Sequence, residues 1–149
     1  MTKRSADISR RSGFSLIELL FAIVVAGTLL GLAMPQIQRM RLMTGLASGQ
    51  QAVGTTLLRA RWLAINRGQQ HFVTLSGSNV LQIRSGSATG TVVSSANLAN
   101  YGVSVDSFSA FAFDPRGFLP TSTTLTIRQP DLPATTTVTI GLYGKLVTQ

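Results

Sequence analysis

FSLIELLFAIVVAGTLLGLAM, residues 14–34, decides how the rest of the chain must be read. It runs 21 residues with one ionisable side chain, Glu18. As an α-helix rising about 1.5 Å per residue it spans roughly 30 Å, the thickness of a bilayer's hydrocarbon core. Residues 1–13 before it carry Lys3, Arg4, Arg10 and Arg11 against Asp7, a net +3. The positive-inside bias keeps such a leader cytoplasmic and sends the remainder of the chain outward, with Arg39 and Arg41 on the far flank opposing it.

Three simpler readings of this segment compete. A secretory signal has an apolar stretch of about 7–15 residues followed by a small-x-small cleavage site, and this run is longer. A buried core helix leaves the basic leader unexplained. A plain membrane anchor accounts for everything except Glu18. A carboxylate costs on the order of 2.5–3.5 kcal/mol at the centre of a membrane span and less toward an end, so it is expected to have a partner. Cutting the Gly13–Phe14 bond would supply one. Glu18 becomes the fifth residue of the shortened chain, and the new amino terminus is positively charged at neutral pH. Between subunits packed side by side, amine and carboxylate would offset their shared desolvation and set the axial register.

Gly13-Phe14-Ser15-Leu16-Ile17-Glu18-Leu19 resembles the recognition sequence of type IV prepilins and type II secretion pseudopilins. That resemblance implies cleavage after Gly13 by prepilin peptidase, a membrane-embedded aspartyl enzyme, followed by N-methylation of Phe14. It makes Gly13 and Phe14 processing residues. Glu18 and Pro35, the latter at the twenty-second position of the shortened chain, become assembly residues.

Past Pro35, apolar residues recur at Ile37, Met40, Leu42, Met43, Leu46, Val53, Leu57, Leu58 and Ile65 with arginines and glutamines between them, a helical stripe. Gly45, Gly49 and Gly54 each cost about 1 kcal/mol inside a helix and predict a stretch that bends or melts locally. Val53 to Asn66 is the strongest helical piece, ending at Arg67-Gly68, and its apolar face is expected to seat a sheet. Trp62, the single tryptophan, is expected to be a packing residue.

Beyond Gly68 the composition turns to Thr, Ser, Val and Gly. HFVTL (71–75) and VLQIR (80–84) flank Ser-Gly-Ser-Asn and predict a hairpin. Further strands are expected at 91–94, 103–106, 108–113, 124–128, 136–142 and 145–148. LLRARWLAINRGQQHFVTL (57–75) and FDPRGF (113–118) are similar to segments of the GspH/FimT branch of minor pseudopilins and minor pilins. The fold class implied is α+β and pilin-like: a long N-terminal helix, half transmembrane and half amphipathic, packed on a small antiparallel β head, often of two sheets. The expected organisation is a leader at 1–13, a transmembrane and assembly helix at 14–35, an amphipathic stem at 36–68 and a β-rich head at 69–149.

Chemistry is sparse. With no cysteine, disulfides, thiolate metal sites and a cysteine nucleophile are excluded. Past the leader, one histidine (His71) and four acidic residues (Glu18, Asp106, Asp114, Asp131) give no metal-ligand spacing, triad or phosphate loop. His71 is expected to start a strand, and Asp114 before Pro115-Arg116-Gly117 to cap turn amides. No enzyme, cofactor or metal is expected.

The partners implied are prepilin peptidase, other pilin or pseudopilin subunits, and the bacterial inner membrane, crossed once with the head periplasmic and later carried on the fibre near its tip. The alternative is a FimT-like minor pilin that binds DNA for natural transformation. Its candidate contacts are Lys145, Arg84, Arg116 and Arg128, although the tail offers only Gly144-Lys145-Leu146 where DNA receptors of this type have a basic stretch.

Replacing Gly13 with leucine should leave residues 1–13 attached, read as the intact mass of the membrane-extracted chain. A mutant with the wild-type mature mass would remove Gly13 from the processing site.

Overall fold

The protein is described by a computed structural model covering residues 14–148; Gly13 and the rest of the expected leader lie outside the described residues. The chain divides into two compact units, Met1–Gln38 and Arg39–Gln149.

Helix α1 (Leu16–Arg67) opens just after Ser15, whose carbonyl accepts the amides of Glu18 and Leu19 at 3.0 and 3.1 Å. In the first unit every residue from 14 to 38 is exposed, and the apolar stretch is long enough to cross a membrane. Thr28, a hydroxyl midway along it, donates to the Val25 carbonyl at 2.8 Å and so carries no unpaired donor into an apolar medium. Pro35 lies inside α1, where its missing N–H leaves one helical hydrogen bond unmade.

In the second unit the helix is one-sided. Gly49, Val53, Thr56, Leu57, Ala60, Leu63 and Ala64 are buried, mostly three or four residues apart. The helix runs unbroken through Gly45, Gly49 and Gly54, so it does not melt at them as expected. The reason is close approach. A Cβ at Gly45 would lie 2.7 Å from the Tyr101 carbonyl oxygen, and one at Gly49 would run into Cγ2 of Val103. Two of the glycines read as breakers are therefore where the segment Tyr101–Val103 crosses the helix. As Arg67-Gly68 predicted, the helix ends there: Gly68 adopts φ +63° and its N–H reaches the Ile65 carbonyl at 3.4 Å.

Eight strands come after the helix: β1 (His71–Ser76), β2 (Val80–Ser85), β3 (Val92–Asn97), β4 (Ser104–Val105), β5 (Phe111–Phe113), β6 (Thr123–Arg128), β7 (Thr135–Ile140) and β8 (Leu146–Thr148). They form two antiparallel four-stranded sheets, β3-β2-β1-β5 and β4-β6-β7-β8. The predicted hairpin is β1–β2, closing at Ser76 opposite Val80 with Gly77 at φ +66°. The strand expected at 108–113 shortens to Phe111–Phe113, and Phe108 instead packs partly buried against the core with its ring 5.6 Å from that of Phe111. That expected at 103–106 shortens to Ser104–Val105, directly after the 3-10 turn Leu98–Tyr101 that Gly102 closes at φ +69°.

One core joins the helix to both sheets. Val53, Leu57, Ala60 and Ala64 meet Val73, Leu81, Ile83 and Phe113 of the first sheet and Leu125, Ile127, Val138 and Ile140 of the second, all buried. Along β2, β6 and β7 these residues fall at alternate positions, as the two-residue period of a half-buried strand requires.

Gly49→Ala should lower the stability of the head by about 1–3 kcal/mol through overpacking, against a helix-propensity gain of about 1 kcal/mol. Gly27→Ala, whose Cβ meets nothing within 4 Å, should leave that transition where it is. Denaturant melts of the detergent-solubilised chain followed by circular dichroism measure both; a Gly49→Ala midpoint at or above wild type would defeat the close-approach role.

Candidate functional site

Two places in the described residues gather function-bearing side chains. The first is the start of α1. Phe14 is 79% exposed, and Glu18 sits in the first turn, where the positive end of the helix dipole favours a carboxylate. Among the described residues nothing pairs with the Glu18 side chain. A carboxylate in an apolar surface is costly to carry into a membrane without a partner. Gly27 and Gly31, one helical turn apart, leave bare backbone on that surface. Sequence reasoning passed over them, and their four-residue spacing was the available signal.

The second is a pair of turns in the head. Asp114 caps the first: its Oδ1 accepts the amides of Arg116 at 2.9 Å and Phe118 at 2.7 Å, as expected of the Asp-Pro-Arg-Gly sequence. Gly117 completes that turn at φ +80°. The second turn joins β7 to β8, with Gly144 at φ +71° and the Gly141 amide on the Lys145 carbonyl at 2.9 Å. The turns are tied by the Leu119 amide on the Leu142 carbonyl at 2.9 Å and by an edge-to-face contact of Phe118 and Tyr143, centroids 5.7 Å apart. Both rest on Arg61, whose Nη1 donates to the Gly144 carbonyl at 3.4 Å. A Cβ at Gly117 or Gly144 would fall within 3.1 Å of its guanidinium nitrogen Nε. Only glycine serves twice over at each position, for conformation and for space.

Of the four cations proposed to touch DNA, Arg84 and Arg128 lie on different sheets, and Arg116 and Lys145 lie on neighbouring turns. Arg84, on β2, donates to Gln82 Oε1 at 2.7 Å and to the Gly90 carbonyl at 2.9 Å. Arg128, at the end of β6 in the other sheet, forms an exposed ion pair with Asp106 at 2.9 Å, a contact of little energetic weight. Arg116 and Lys145 are exposed on the two adjoining turns.

Trp62 is the clearest departure from expectation, since it is 60% exposed rather than packed. Its neighbours Ala60, Leu63 and Ala64 take the buried face, and position 62 falls outside that arc. His71 does start β1; it is fully buried, with Nδ1 at 3.1 Å from the Gln69 carbonyl and Nε2 without a partner. Among the described residues no three His, Asp or Glu side chains group as metal ligands. An open groove of about 470 Å³ beside the helix is lined chiefly by Ser48, Gln51, Thr55, Asn97, Asn100 and Tyr101, hydroxyls and amides without a carboxylate or imidazole.

Comparison with known proteins agrees with this geometry. Residues 8–34 match the prokaryotic N-terminal methylation motif. No curated protein sequence matches the chain. Among solved structures, the type IV minor pilin FimU of Pseudomonas aeruginosa is similar in fold in two crystal forms. One has a TM-score of 0.61 at 17% identity, covering 72% of this chain and 90% of that one. The other has a TM-score of 0.58 at 18% identity over 70% and 92%. The minor pseudopilin EpsH from the type 2 secretion system of Vibrio cholerae gives a TM-score of 0.52 at 20% identity over 69% and 94%. By fold and by motif the chain is type IV pilin-like. The motif implies prepilin-peptidase processing and assembly with other pilin subunits.

Asp114→Ala removes the acceptor of two turn amides and should destabilise the head by about 1–3 kcal/mol while Asp131→Ala, on an exposed loop, changes it by less than about 0.5 kcal/mol. Equal denaturation midpoints for the two variants would contradict the capping role.

Proposed function

We propose that the chain is a minor pilin or minor pseudopilin of the GspH/FimT branch, cleaved after Gly13, N-methylated on Phe14 and assembled near the tip of a type IV pilus or type II secretion pseudopilus. Before assembly it crosses the inner membrane once through residues 14–35, with the leader cytoplasmic and the head at 69–149 periplasmic. The observation that carries the reading is the exposed apolar run of α1 with one carboxylate, Glu18, that has no partner among the described residues and stands at the fifth position after the proposed cut. Such a surface is equally content in lipid and against other apolar helices. Transfer from membrane to fibre is then near-neutral in free energy, and packing together with one charge pair decides the register. The minor pilin and minor pseudopilin folds that the head shares support the same reading.

Glu18→Ala should still be cut and methylated but enter fibres poorly, because the new amino terminus is left unpaired in an apolar bundle at a cost on the order of 3 kcal/mol. The measurement is the ratio of this subunit in sheared fibres to that in membranes, with the mature mass read in parallel. Wild-type incorporation of a correctly cut Glu18→Ala chain would sink the assembly role; a wild-type chain that keeps residues 1–13 would sink the reading as a whole.

A further inference from the structure

The head carries an apolar surface that its own fold leaves uncovered. Leu58, Trp62 and Ile65, at i, i+4 and i+7 on the helix, are 50%, 60% and 50% exposed, and Phe118 and Tyr143 beside them are 39% and 74% exposed. The helix and the turns approach each other at Gly117, where a Cβ would lie 2.7 Å from Ile65 Cδ1, and the adjoining Phe118 meets Tyr143. Along the helix the patch continues into an open trough where Ala47, Gly54, Leu58 and Leu146 lie among two glutamines and two threonines. The rim is cationic. Arg59 lies one turn from Trp62, and Arg116 and Lys145 stand exposed on the two turns. The carboxylate in the same turn, Asp114, faces inward onto the amides of Arg116 and Phe118.

We infer that this patch docks a second, different subunit of the fibre through a surface that is apolar at its centre and acidic around it. The inference rests on the subunit reading for the source of the partner. Tryptophan and tyrosine in a partly aliphatic patch, bordered by two arginines and a lysine, have the composition of a protein–protein hot spot. Charge selects the partner. From residue 39 onward the chain has nine Lys and Arg against three Asp, so two copies of this head repel each other, whereas an acidic head is attracted and oriented. Nucleic acid is the competing occupant, because Trp62 and Tyr143 are exposed rings beside cations. The aliphatic share of the patch favours protein: Leu58 and Ile65 offer no ring for a base to stack on, and Arg61 is held beneath the turns. Two turns braced on Arg61 also present the patch in one arrangement before any partner arrives, which limits the ordering cost of binding.

The full-length chain, expressed in its own host with p-benzoylphenylalanine replacing Trp62 or Tyr143, tests this by photo-crosslinking, with Tyr101 replaced as the control in the separate polar groove. The expected product at positions 62 and 143 is an adduct identified by mass spectrometry as another protein with the N-terminal methylation motif and a head of net negative charge. Arg116→Glu with Lys145→Glu should cut its yield roughly tenfold. An adduct only with a second copy of this chain, an adduct with nucleic acid, equal yield from position 101, or a yield indifferent to charge reversal would each overturn the inference. The mass of the same chain separates the two levels: a chain cut after Gly13 that gives no adduct overturns the docking surface and spares the subunit reading, and an uncut chain overturns both.

Discussion

The head depends on one seam, the buried face of α1 from Gly49 to Ala64. The two sheets have no strand in common, and several of their strands are short, β4 having two residues and β5 three. Their inward side chains find a common surface only because the helix presents Val53, Leu57, Ala60 and Ala64 at helical spacing. Small residues matter as much as large ones along this seam. Gly45 and Gly49 let the Tyr101 carbonyl and the Val103 side chain come close to the helix, while Leu57 is fully buried in the core. Truncation of a residue such as Leu57 would typically remove about 2–5 kcal/mol, a large part of what a domain of this size has.

The same helix answers to two surroundings. From Phe14 to Gln38 every side is exposed and apolar residues occur all round, which suits lipid or a bundle of like helices. In the second unit the apolar residues divide between a buried stripe and an exposed one. Thr28 and Glu18 show two kinds of polar group in the first setting: the hydroxyl is satisfied within its own helix, and the carboxylate has no partner among the described residues.

What the sequence disclosed depends on the range of the interactions concerned. Glu18 in an apolar run, the Ser-Gly-Ser-Asn hairpin, the Arg-Gly helix end and the Asp114 cap are decided within a few residues, so they were readable along the chain. Two sheets were implied by the resemblance, but which strands share a sheet was not readable, because β5 joins β1 across some forty residues and β4 joins β6 across about twenty, and no local pattern encodes such pairings. Gly45 and Gly49 were misread for the same reason: their cost is local and visible, whereas the contacts with Tyr101 and Val103 that make them useful are distant. Trp62 misled because size and apolarity predict burial on average, while its position on the helix faces away from the seam. The grouping of Arg61, Gly117, Gly144, Phe118 and Tyr143 spans more than eighty residues of sequence and became visible only in three dimensions.

The exposure of Trp62 has a practical side in spectroscopy. It is the chain's lone tryptophan, and its indole is already largely in water in the folded head. Its fluorescence will therefore change little when the core comes apart, and a melt followed at tryptophan wavelengths would pass over the transition of Phe113, Leu57 and the buried strands almost silently. What that emission does watch is the outside of the molecule, so the chain carries a built-in dye for events at its surface and none for the integrity of its interior.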